Sequence, residues 1–203
     1  MRGLLVVAMV LAFASAFGAV DLTVVDTGAP PNGSGTTLNV AQWQASQFSI
    51  LQAGTITSVE GWIAATVAGA IQIRLYADGG HAPGTALNTT SFNAISSEGQ
   101  WQGAAVSWAV TPGTYWLGYE VLPNSTYAGY MPRPAPHPLG NEASTVNGGA
   151  YQESNGLDIG VRVHESVANV PDRGSTAAML FLTVSLLLTH KHLRVRNAAA
   201  MIF

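Results

Sequence analysis

Ile71-Gln72-Ile73-Arg74-Leu75-Tyr76 is the stretch that decides the fold class of this chain. Ile71, Ile73 and Leu75 are apolar, while Gln72, Arg74 and Tyr76 carry polar ends. Side chains two apart share one face of a strand, so this alternation sets a buried face against an outward one. The pattern returns near the end of the middle region, where Ile159, Val161 and Val163 alternate with Gly160, Arg162 and His164.

Working outward, similar segments recur at 22–25, 47–51, 55–64, 70–76, 90–95, 104–110, 113–121, 126–131 and 157–164, punctuated by Gly, Pro and Asn. Period-two patterning with frequent turn residues predicts an all-β domain, a β-sandwich or jelly roll of about nine or ten strands. Between the first twenty residues and Ala177, no segment sustains a helical period.

Composition narrows the class. Only 9% of the 203 residues are charged, where soluble domains carry about 25%. With 22 Gly and 10 Pro, this fits a Gly/Ser/Thr-rich extracellular β-protein. Residues 20–169 hold ten acidic and three basic side chains, a net charge of −7. Phosphate contacts need clustered Lys and Arg, so nucleic acid is not an expected partner. The absence of cysteine excludes disulfides, thiolate metal sites and cysteine nucleophiles.

Both ends read as addresses. Met1-Arg2 precedes an apolar run at 4–13, followed by Ala14-Ser15-Ala16 and Phe17-Gly18-Ala19 as small-x-small cleavage motifs. Residues 1–19 are therefore expected to be a signal peptide and helix, residues 20–166 the β-domain, and 167–203 a separate C-terminal segment. That last segment reads Val170-Pro171-Asp172-Arg173-Gly174-Ser175-Thr176, then an apolar run at 177–188, then Lys191, Arg194 and Arg196. Ser175 or Thr176 can cap a helix that is apolar on all sides. The basic residues after it mark a short transmembrane helix with a cytoplasmic anchor.

A Val-Pro-Asp-x-Gly-Ser-Thr motif, a short Leu/Ala-rich helix and a basic cluster resemble the VPDSG-type variant of PEP-CTERM sorting signals. Val170, Pro171, Asp172 and Gly174 match that motif, Ser175 and Thr176 fit its continuation, and Arg173 stands where Ser or Gly is usual. The resemblance covers residues 170–196. It implies recognition by exosortase, a membrane-embedded cysteine-type processing enzyme of Gram-negative bacteria that make exopolysaccharide. It further implies an inner-membrane intermediate and delivery to the cell surface or matrix. Two phrases in the middle, Leu75-Tyr76-Ala77-Asp78 with Pro83-Gly84, and Pro112-Gly113-Thr114-Tyr115-Trp116-Leu117, resemble β-sandwich domains found before such tails. That second likeness implies a fold and no activity.

Three constellations bear on chemistry. Trp101, Tyr127, Tyr130 and Tyr151 are read as loop aromatics open to two readings, packing or stacking on pyranose rings, with a glycan such as exopolysaccharide the candidate ligand of the second. Trp62, Trp108 and Trp116 fall in strands and are read as packing. Asp78 and Asp158 are weighed as calcium ligands, but calcium needs several converging oxygens and Asp78-Gly79-Gly80 reads as a turn. His81, His137, His164, Glu60, Glu98 and Glu120 sit in no nucleophile-elbow, zinc-helix or paired-carboxylate pattern. The expectation is a non-catalytic surface or matrix protein without a cofactor, and a small glycan-active enzyme stays open as the alternative. Pro132-Arg133-Pro134-Ala135-Pro136-His137-Pro138 reads as a spacer or rim.

Overall fold

The computed structural model describes residues 19–31 and 33–168, and their regular structure is all β. Twelve strands run in order: β1 (Ala19–Asp26), β2 (Gly35–Leu38), β3 (Gln44–Ile50), β4 (Gly54–Val67), β5 (Gly69–Asp78), β6 (Pro83–Ala94), β7 (Ser97–Val110), β8 (Gly113–Glu120), β9 (Ala128–Pro132), β10 (Glu142–Ser144), β11 (Gln152–Glu153) and β12 (Val161–Ala168). Twelve strands exceed the nine or ten expected because β2, β10 and β11 are short pieces without an alternating pattern.

They form two antiparallel six-stranded sheets. The first has the order β1-β12-β4-β9-β2, with β7 on the other edge of β4. β7 pairs along β4 from Gly54 to Ala65, so the opposite edge of β4 is divided. β12 takes Thr55–Gly61 and β9 takes Ala64–Val67. Register shifts at Ile56/Ser58 and Ile63/Ala65 mark bulges that bend this long strand. The second sheet has the order β11-β10-β3-β8-β5-β6.

One core joins the sheets in a β-sandwich-like arrangement. Phe48, Ile50, Ile71, Ile73, Leu75, Leu117 and Tyr119 meet Leu38, Ile56, Val59, Ile63, Met131, Val161 and Val163. Each fully buried aliphatic side chain contributes roughly 1.5–3 kcal/mol by leaving water. Tyr119 crosses the core from β8, and its hydroxyl donates to the Glu60 carbonyl on β4 at 2.7 Å.

The proline-rich run after β9 is a fastened strap, which corrects its reading as a spacer. Prolines alternate with Arg133, Ala135 and His137, and the amide of each of these three is bonded. Arg133 N donates to Ser34 O (3.4 Å), Ala135 N to Asp158 O (2.7 Å) and His137 N to Thr27 O (2.8 Å). Proline restricts φ and has no amide to leave unsatisfied. Ala135 is buried beneath the strap, and the Arg133 guanidinium reaches Gly156 O at 2.7 Å.

The residues 20–167 make one compact unit. The expected signal peptide and helix, the motif at Val170, Pro171, Asp172, Gly174 and Ser175, the helix at 177–188 and the anchor at Lys191, Arg194 and Arg196 lie outside the described residues. Among the described residues no helix is long and apolar enough to cross a membrane.

Candidate functional site

The outer face of the second sheet carries a closed polar cluster. Outward positions alternate with core positions, so β5 presents Arg74 and Tyr76 while β8 presents Trp116, Gly118 and Glu120. Glu120 has no exposed side-chain surface. One of its oxygens accepts from the Tyr76 and Tyr151 hydroxyls, the latter at 3.2 Å. Its other oxygen faces Arg74 Nε at 3.3 Å. Burial, with the adjacent carboxylate, pushes both phenols above their ordinary range, so they remain protonated donors. The Tyr151 ring stands edge-on to Tyr76 at 5.7 Å. Groups held in this way lock the short β10–β11 region onto the sheet.

Gly118 makes room for the lock. A Cβ there would lie 2.7 Å from the Tyr151 hydroxyl and 3.0 Å from the Tyr76 ring. Gly118→Ala is expected to cost about 1–3 kcal/mol, the usual range for overpacking. Loss of near-ultraviolet tyrosine circular dichroism together with a lowered urea midpoint would check this.

Asp78, at the end of β5, has one carboxylate oxygen engaged by three protein donors. Its Oδ1 accepts from the Trp116 indole at 2.9 Å, the Gln47 amide at 2.9 Å and Gly80 N at 3.1 Å. The indole hydrogen bond is the main reason its carboxyl is held below the usual range. Asp158 sits at positive φ, with its amide donating to Glu142 and its carbonyl accepting from Ala135. Asp78 serves a turn through its side chain, and Asp158 is held through its backbone. No group of three or more metal-ligating side chains is gathered among the described residues.

The outer face of the first sheet is different. Trp62 on β4 stands directly opposite Trp101 on β7, the rings 5.4 Å apart and nearly perpendicular. The Arg162 guanidinium lies 4.0 Å from the centre of the Trp101 ring. Arg162 also pairs with Asp26 at 3.2 Å and Glu60 at 3.6 Å. This stack ties β12, β1, β4 and β7 together and occupies one face of Trp101.

Beside it, an open groove of about 520 Å³ is lined by Gly33, Ser34, Gly35, Thr37, Thr66, Gly129 and Tyr130. Tyr130 lies on β9, opposite Thr37 of β2 and Ala64 of β4. Its ring rests over Gly35, where a Cβ would collide with both the ring and the Met131 carbonyl. The neighbouring Met131 points into the core, so Tyr130 points out. The Thr66 hydroxyl donates to Ala128 O at 2.9 Å and keeps its oxygen able to accept.

The four expected loop aromatics are therefore dispersed. Trp101 and Tyr130 belong to strands β7 and β9, which corrects their reading as loop residues. Tyr127 is in a loop but buried, its hydroxyl donating to Ala64 O at 3.2 Å; the turn before it is closed by Ser125 N donating to Leu122 O at 2.9 Å. Tyr151 sits on the opposite sheet with its hydroxyl engaged by Glu120. Trp108 and Trp116 are buried packing residues. Sequence reasoning missed Gly35, Thr37 and Thr66, and it named Glu120 and Tyr76 without bringing them together. The run Trp116-x-Gly118-x-Glu120, one face of a strand with a small residue between two large ones, is a signal that points to the closed cluster. No family model matches the chain, and no curated protein and no solved structure matches it.

Proposed function

We propose that this chain is an exported, non-catalytic surface or matrix component that carries a glycan-binding face and is delivered through its C-terminal sorting signal. The observation that carries this reading is the order of features after the last strand. β12 ends at Ala168, and Val170-Pro171-Asp172, the apolar run at 177–188 and the basic anchor follow at once. In this reading the helix enters the inner membrane with Lys191, Arg194 and Arg196 on the cytoplasmic side. An exosortase-type enzyme then cuts near Val170 and releases the acidic β-domain to the surface or into exopolysaccharide. A cysteine-free domain stabilised by its own core suits that destination, since it needs no oxidising catalyst to mature.

The test is processing in the native host, read by mass spectrometry of both ends. Wild-type protein is expected to have lost its first 16 or 19 residues and the tail. Changing Pro171 and Asp172 together to Ala should leave insertion intact and hold the full tail in the inner membrane. Changing Lys191, Arg194 and Arg196 to Glu should disturb insertion itself. Surface delivery of the Pro171/Asp172 variant at the wild-type level would replace the sorting signal with a plain anchor.

A further inference from the structure

We infer that the Tyr130 groove is the glycan subsite of this domain and that it takes a neutral pyranose of a polysaccharide chain. The inference rests on the glycan-binding half of the reading above and names its site and ligand class. Of the four aromatics with a sugar-stacking reading, Tyr130 is set apart by its surroundings. Tyr127 is buried in the core. Trp101 has Arg162 stacked on it and Trp62 against it. Tyr151 packs on Tyr76 and Trp43 and donates to buried Glu120. Tyr130 has no aromatic ring or stacked cation on it among the described residues.

The way the ring is seated matters. Gly35 removes the side chain that would hold the ring up from β2, so Tyr130 lies against the glycine backbone and lines the groove. An aromatic face is electron-rich, and the axial C–H face of a pyranose is its natural partner. Around the ring stand the hydroxyls of Ser34, Thr37 and Thr66 and the backbone of Gly33, Gly35 and Gly129. The Ser34 and Thr37 hydroxyls can donate and accept, and the Thr66 oxygen can accept, which suits sugar hydroxyls.

Charge decides among ligands. None of the groove residues is ionisable below the tyrosine range, and residues 20–169 carry −7. An anionic sugar would find no cation in the groove and a repelling body around it. A cationic ligand would find no carboxylate in the groove lining. A proline-rich segment would need an aromatic-lined groove, and here one ring stands among hydroxyls and glycines. A neutral, hydroxyl-rich ring remains.

The experiment uses the full chain in a sugar-free detergent, titrated calorimetrically with hexasaccharides of β-linked glucose, α-linked glucose and β-linked mannose, and with a proline decapeptide. At least one hexasaccharide is expected to bind with a Kd on the order of 1 mM. Tyr130→Ala should weaken it about tenfold or more, while Tyr130→Phe, which keeps the ring, should stay within about twofold. Tyr151→Phe, on the other sheet, should bind as wild type. Thr37→Arg fills the groove from an exposed position and should abolish binding, serving where Tyr130→Ala fails to fold. Undiminished binding in the groove variants would overturn this site and leave the glycan-binding reading standing. Failure of every hexasaccharide would overturn both, while leaving the sorting reading untouched. Preference for the proline peptide would make the groove a receptor for extended protein segments and overturn the inference.

Discussion

Tyr119→Ala is expected to lower the stability of the domain by roughly 3–5 kcal/mol, the range for deleting a large aromatic from a filled core. Tyr119 is 0% exposed and spans the space between the sheets. Its ring fills the place beside Gly61, where a Cβ would lie 2.8 Å from the ring edge. Burial pushes its phenol well above the ordinary tyrosine range, so the hydroxyl stays a donor to Glu60 O. Tyr119→Phe keeps the ring and loses the hydrogen bond, with an expected cost of about 1 kcal/mol. Urea unfolding at constant m measures both. Gly61→Ala should be costly alone and clearly less costly beside Tyr119→Ala, which leaves only the Met131 methyl, 3.0 Å away, to yield. Additive costs in that double variant would show that ring and glycine do not share the space described.

Glu142→Ala is expected to cost roughly 2–4 kcal/mol, because it strips the acceptor from two backbone amides at once. Glu142 is 3% exposed and anchors the approach to β12. Its oxygens accept from Asp158 N at 2.6 Å and Ile159 N at 3.0 Å, and Ser46 Oγ adds a longer bond at 3.4 Å. Burial raises its carboxyl above the ordinary glutamate value of 4.5, with the amide donors pulling part of the way back. The folded state therefore holds this proton more tightly than the unfolded chain. Its contribution is greatest below the ordinary value of 4.5 and declines as pH rises through the raised folded value. Glu142→Gln cannot titrate, so the stability difference between wild type and this variant should shift in favour of the variant as pH rises from about 4 to 7. A pH-independent difference would mean that the native carboxyl has an ordinary affinity for its proton.

Residues 71–76 told the truth about the fold because both sides of their strand are decided locally. Ile71, Ile73 and Leu75 are all fully buried, as are Ile159, Val161 and Val163. Where a strand owes its existence to a distant partner, the sequence is mute. Gly35-Thr36-Thr37-Leu38 looks like a loop until β9 pairs with it, and Glu142-Ala143-Ser144 becomes a strand only between β3 and β11. β6 was legible only from residue 90 on, because an edge strand with polar residues on both faces, such as Thr85 to Thr89, has no alternation to show. The site followed the same rule. Tyr130 was visible by residue type, but the glycine beneath it and the hydroxyls around it arrive from other strands. The burial of Tyr127 and the arginine on Trp101 are likewise tertiary facts.

The place of β12 between β1 and β4 sets an order of events during synthesis. The first strand to leave the ribosome is neighboured in its sheet by the last, so its ladder cannot form until residue 168 has emerged. Long-range pairing of this kind is slow, and it leaves the nascent chain without its finished sheet throughout elongation. The closing strand thus acts as a clasp on this sheet, fastened only after all its neighbours have been made.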